Sequence, residues 1–278
     1  AKIADGTIAS VDLAAGVGRG ETTGAIGGLK TSNDGTDAAH DLNIAVGFAR
    51  DYTDAAELVL ASALIKQIDA TWAVGTNAGG LDSTDTVGAN TGYGVYLIRR
   101  SDTGVVDVLI SSDMTAAGSA LTMPTNYDQK RLIGWVRTDG SANILAFTQV
   151  GDYFRITGEL PTEVSDATIT SEAYETATLT VPPSTIALIY GNMDENAGTG
   201  SNGRLYIITN GAGDDAGGGL IECWLGIQTA AAYDRHSMAG EVLTDSSGII
   251  QYAGTKGNGT CTVSIHLIGC KLLTRSNP

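Results

Sequence analysis

Residues 93–111 read YGVYLIRRSDTGVVDVLIS. Two β-rich runs, 93–100 and 105–111, flank Ser101-Asp102-Thr103-Gly104. An Asp side chain bonds its own backbone, and Gly takes positive φ without steric cost. The stretch therefore predicts an antiparallel hairpin. The same grammar recurs downstream. Runs 132–137 and 143–150 flank Thr138-Asp139-Gly140-Ser141, a second hairpin signal, and 153–157 continues the antiparallel run. Upstream, Leu42, Ile44, Val46 and Phe48 alternate along LNIAVGFAR, as one face of a strand requires. Residues 55–68 are ambiguous. Leu58, Leu60, Leu64, Ile65 and Ile68 fit a helix or two short strands.

Beyond a polar connector at 159–175, further strand runs appear at 177–181, 185–190, 204–210, 220–228, 248–253 and 261–274. Pro182-Pro183 closes the first of these, since proline cannot donate to a ladder. Polar or Gly-rich loops are expected at 191–203, 211–219 and 254–260. Roughly a dozen short strands with turns every ~8–12 residues predict an all-β fold, an antiparallel β-sandwich or jelly roll. Residues 1–43 lack such periodicity and cannot bury a core alone. They read as either a flexible tail or an extended N-terminal arm that docks on another chain, with Ile8, Val11 and Leu13 as its apolar contacts. Residues 44–160 then form one β-sandwich region, and 161–278 a second one or the rest of the same sandwich.

The composition agrees. Among 278 residues there are 37 Gly but 5 Pro, without a three-residue period, which excludes collagen. Hydrophobic residues make up 42%, so disorder is not expected. Lys+Arg number 16 against 31 Asp+Glu, a net charge of -15 that disfavours a phosphate-backbone partner. No apolar run is long enough for a signal h-region or a membrane-spanning helix. The chain begins at Ala1, which points to a removed initiator or a trimmed precursor. Cys223, Cys261 and Cys270 show no CxxC spacing and read as reduced thiols, the last two in a core strand.

Catalytic patterns are weak. His40, His236 and His266 are isolated from one another, so no paired metal-ligand spacing exists. Asp234, His236 and Ser237 form a triad only on paper, without a GxSxG elbow. The Gly clusters at 18–24 and 211–217 miss phosphate-loop spacing and read as turns. The candidate cation ligands are Asn192, Asp194 and Asn196, which alternate like the start of a calcium loop, and Asp214-Asp215. Asn33-Asp34-Gly35-Thr36-Asp37 is a similar oxygen-rich turn. Calcium is the ion such ligands would take; no other cofactor is expected. Trp72, Trp135 and Trp224 sit in strand-like runs and read as core anchors.

Residues 93–156 also carry a resemblance. The pieces are Val95–Leu97, Asp102-Thr103-Gly104, residues 107–111, Pro124, Tyr127, Lys130-Arg131, Ile133-Gly134, Arg137-Thr138-Asp139-Gly140-Ser141, Phe147, Gln149, Gly151 and Asp152. Together they resemble a module of virion appendage proteins of tailed bacteriophages: tail fibres, head fibres and spike subunits. Trp72 and Gly79-Gly80-Leu81-Asp82 look like the same module, and AKIADGTIASVDLAAG looks like fibre attachment regions. The resemblance covers about the first two-thirds of the chain. It implies a non-enzymatic structural protein of the virion, assembled in the host cytoplasm as a homotrimer. The arm would join other virion proteins, and the head would contact the host surface, with glycan as the ligand class. Two alternatives remain open at this level: a capsid decoration protein without receptor contact, and a polysaccharide-degrading spike enzyme. No 20–30-residue β-helix repeat supports the latter.

Overall fold

The computed structural model describes residues 23–169, 173–197, 202–211, 221–226, 233–255 and 259–273. The fold is all-β, with no α-helix among the described residues. In chain order the first ten strands are β1 (Ile26–Gly28), β2 (Thr31–Asn33), β3 (Asp41–Ile44), β4 (Gly47–Arg50), β5 (Glu57–Leu60), β6 (Leu64–Thr71), β7 (Ala78–Leu81), β8 (Gly92–Arg99), β9 (Val106–Ser111) and β10 (Gln129–Arg137). The second ten are β11 (Phe147–Val150), β12 (Tyr153–Ile156), β13 (Thr162–Ile169), β14 (Glu175–Thr178), β15 (Ile186–Ala197), β16 (Asn202–Thr209), β17 (Ile221–Gly226), β18 (Tyr233–Leu243), β19 (Ile249–Thr255) and β20 (Gly259–Lys271).

The ambiguous segment 55–68 resolves into β5 and β6. Leu58 and Leu60 are buried in β5, and Lys66 and Ile68 in β6, so each strand buries alternate positions. The apparent helical spacing is two period-2 patterns separated by a bend. Residues 23–43, read from sequence as part of the arm, carry β1, β2 and most of β3, with Leu29 and Leu42 fully buried. Three short strands too weak to hold a core alone are stabilised by pairing with β4 and β6. Of the arm, residues 1–22, with Ile8, Val11 and Leu13, lie outside the described residues.

The described chain divides into two compact units. The first gathers residues 23–87 and 94–134, the second 88–93 and 135–273. The division falls after residue 134; the sequence allowed either one large sandwich or two divided near Leu160. Unit 1 holds the three-stranded sheet β1-β4-β5 and most of a seven-stranded sheet, order β10-β8-β9-β7-β6-β3-β2. Two of its pairings, β6 with β7 and β7 with β9, are parallel, so this sheet is mixed rather than purely antiparallel. The hairpin expected at 93–111 is present. Arg99 pairs with Val106, Arg100 N–H donates to Val105 O at 2.9 Å, and Gly104 takes φ 75°. On one face Tyr96, Ile98, Leu109, Tyr127 and Leu132 pack with Trp72, Leu121 and Met123. Each fully buried side chain of this size contributes about 1.5–3 kcal/mol.

The second expected hairpin forms only at its tip. Thr138 bridges Ile144, but β11 then pairs with β12, not with β10. Asp139 explains the loop. Its Oδ1 accepts from Ser141 N–H (2.8 Å) and Asn143 N–H (2.9 Å), and Ala142 takes φ 65°. That widens the turn beyond a two-residue Asp-Gly connection and redirects the chain.

Unit 2 is a two-sheet sandwich. A six-stranded sheet runs β11-β12-β20-β15-β18, with β13 also pairing β20. A four-stranded sheet runs β14-β19-β16-β17. A Cβ placed on Gly191 of β15 would stand 3.4 Å from Ile207 Cδ1 and 3.4 Å from Leu205 Cδ2, both on β16. The two inner faces are thus in direct contact, as sandwich packing requires. Along β20 the buried positions are Cys261, Val263, Ile265 and Leu267, then Cys270 and Leu272. The phase flips because of a bulge: Leu188 pairs Gly269 while Ile189 pairs Leu267, leaving Ile268 as the extra residue.

Candidate functional site

Unit 2 carries a concave surface beside the bulge in β20. It lies on the outer face of the six-stranded sheet and encloses about 1150 Å³. Leu188 and Ile268 are among its apolar lining residues, with Val150 and Leu160 beside them. Tyr153, Arg155 and Glu241 add polar groups. Val150 is 69% exposed, and Leu243, the next outward residue after Glu241 on β18, is 43% exposed. Both apolar side chains are open to solvent on this sheet face.

Register fixes the layout. Arg155 pairs Gly269, Gly269 pairs Leu188, and Leu188 pairs Glu241. One row across four strands therefore reads Arg155, Gly269, Leu188, Glu241, with about 14 Å between its ends at the usual strand spacing. Gly269 must be glycine: a Cβ there would sit 1.9 Å from Phe154 O. Tyr153 Oη donates to Glu241 Oε1 at 3.3 Å, and Lys271 Nζ stands 5.1 Å from the Tyr153 ring centroid. The Arg155 side chain is exposed and makes no hydrogen bond or ion pair among the described residues.

Further along the same face lies a polar cluster. Tyr190 Oη donates to Ser237 Oγ (2.9 Å), and Ser237 Oγ donates to Asn192 Oδ1 (2.8 Å). Asn192 Nδ2 is 3.5 Å from His266 Nε2, whose Nδ1 is 3.1 Å from Thr162 Oγ1. The Tyr190 and His266 rings are 5.9 Å apart, tilted. Ser237 thus joins Tyr190 and Asn192. His236 precedes it on β18, where neighbours point to opposite faces, so the paper triad has no geometry.

The candidate cation residues Asn192, Asp194 and Asn196 belong to strand β15, not to a loop. Residues two apart on a strand share a face but stand ~6.6 Å apart, so they do not converge as loop ligands do. Asn192 and Asp194 are both half-buried at alternate positions of the strand. Asp214 and Asp215 lie outside the described residues. Among the described residues no three His, Cys, Asp or Glu side chains come together as a metal cluster.

The acids of the oxygen-rich turns instead bracket their own backbone. Asp34 accepts from Thr36 N–H (2.7 Å) and Asn43 Nδ2 (2.8 Å). Asp113 accepts from Thr115 and Ala120 N–H, and Asp245 from Ser247 and Ile249 N–H. Asp82 and Asp85 reach farther, to Thr122 N–H (2.7 Å) and Ser112 N–H (2.7 Å). Bonds from backbone N–H hold the Asp34 and Asp139 carboxyls below the usual range; for Asp245 the Asn210 amide is the leading cause.

Several core readings have counterparts in the structure. Trp135 is buried at 1% exposure, and Trp72 is half-buried, its Nε1–H donating to Val108 O at 3.0 Å. Cys261 and Cys270 are fully buried. The side chains of Trp224 and Cys223 lie outside what is described. The groove was missed by sequence reading. Its only signal was an IGC triplet, Ile268-Gly269-Cys270, interrupting an otherwise regular strand.

What the fold and site define is an all-β protein with a sandwich unit that presents an apolar groove on an outer sheet face. Neither a comparison with protein families nor a search of curated proteins returned a match.

Proposed function

We propose that this chain is a structural subunit of a virion appendage, a fibre or spike of a tailed phage or phage-like particle, rather than an enzyme. The observation that carries the reading is the groove: an apolar sheet face with a charged rim, suited to association. The resemblance of residues 93–156 to appendage modules adds to it. On this reading residues 1–22 join the chain to other virion proteins, the chain works as a homo-oligomer, and the protein resides in the virion. Its exposed faces contact the host surface, with glycan as the ligand class, and calcium is the candidate ion for the undescribed Asp214-Asp215 segment.

The test is truncation. A chain starting at Thr23 keeps every described strand and is expected to fold, yet fail to join particles. Incorporation of the truncated chain at the full-length level would contradict the reading.

A further inference from the structure

The row Arg155, Gly269, Leu188, Glu241 is complementary to its own reverse. Turned by a two-fold axis through its centre, Arg155 faces Glu241 of a second copy. The Leu188 side chain then faces Gly269 of the second copy, which carries no side chain. The same two contacts recur on the other side of the axis, as an isologous interface demands. We infer that this face of the six-stranded sheet is a two-fold contact between copies of the chain.

Three observations point to a second copy as the occupant. First, the ends of the row carry opposite charge, and the Arg155 side chain has no partner among the described residues. Second, the chain holds 16 basic against 31 acidic residues, so copies repel one another in general. A face that matches cation to anion across the contact removes that repulsion locally. Third, Val150 and Leu243 leave apolar area exposed around the row, which a sheet-on-sheet contact would cover.

This inference rests on the homo-oligomeric part of the proposed function and goes beyond it. A two-fold contact differs from the three-fold one that the fibre resemblance implies. Combined with it, the contact gives an even-numbered assembly; alone, it gives a dimer.

Native mass measurement of the full chain tests it, with melting curves as a folding control. The wild-type protein is expected as an even-numbered species. Leu188→Lys, Arg155→Glu and Glu241→Arg are each expected to halve the mass at micromolar concentration. The double variant R155E/E241R restores charge matching and is expected to restore the wild-type mass. Rescue by the double variant separates a contact from simple misfolding. A wild-type trimer would overturn the two-fold contact and leave the proposed function standing. A wild-type monomer would overturn both. An even-numbered species untouched by all three single variants would overturn this face as the contact.

Discussion

The Nζ of Lys66 lies 3.1 Å from Oδ1 of Asp107, and the two side chains are 0% and 2% exposed. The ammonium also donates to Ala73 O (2.7 Å) and Gly75 O (3.2 Å), while Asp107 Oδ2 accepts from Gly75 N–H (2.7 Å). Burial lowers the lysine pKa, and the Asp107 charge works against that shift. The pair closes the 73–75 segment over β6 and β9. Removing one partner strands a buried charge. Asp107→Ala is expected to cost about 3–5 kcal/mol in urea unfolding. The double change K66M/D107A is expected to cost less than D107A alone. A smaller loss for D107A than for the double variant would contradict this account.

Gly269→Ala tests the bulge that makes the groove. Its Cβ would meet Phe154 O at 1.9 Å, so β12 and β20 must separate. The expected cost is about 1–3 kcal/mol or more. Gly158→Ala is the control, since nothing stands within 4 Å of its Cβ. Equal urea midpoints for the two variants would show that the close approach carries no weight.

Acid should loosen the turns. The carboxyls of Asp34, Asp139 and Asp245 are held below their ordinary values in the fold. A depressed carboxyl pKa stabilises the fold above the unfolded value of about 3.9, and that contribution is lost as pH falls through the lower folded values. Melting temperature is therefore expected to be insensitive to these groups between pH 7 and 5, and to fall below about pH 4. Asp245→Asn should reduce the acid-side slope. The Arg100–Asp102 pair is exposed, so Asp102→Ala should change stability little. A melting temperature independent of pH down to 2.5 would contradict the bracket account.

Thiol labelling tests the β20 phase. Cys261 and Cys270 are both fully buried, and burial pushes the Cys270 thiol well above its usual pKa. Peptide mapping after native labelling should find neither modified, and both modified in denaturant. Rapid native labelling of Cys270 would mean that the strand after the bulge faces outward.

Much of the fold was readable because its signals are local. The 93–111 hairpin rests on adjacent residues: alternating apolar runs, then Asp and Gly where the turn needs them. The 138–144 turn looked the same, yet its second arm joined another sheet, because strand pairing beyond the tip depends on partners far away in sequence. The parallel pairings of β7 are likewise long-range and leave no local trace. Residues 23–43 looked too polar for a core, since three-residue strands gain stability only from neighbours. The groove was invisible for a related reason. It arises from a one-residue register shift between β15 and β20, and from a glycine whose necessity appears only beside Phe154 O. Asn192, Asp194 and Asn196 read like the start of a calcium loop because alternation in a strand and alternation in a metal loop share one spacing.

The most direct test of the appendage reading is to image purified virus-like particles from the source of the chain, with an antibody label against it. The account expects label on a projecting appendage, lost when residues 1–22 are deleted. Particles that are intact, infectious and free of the chain would contradict it.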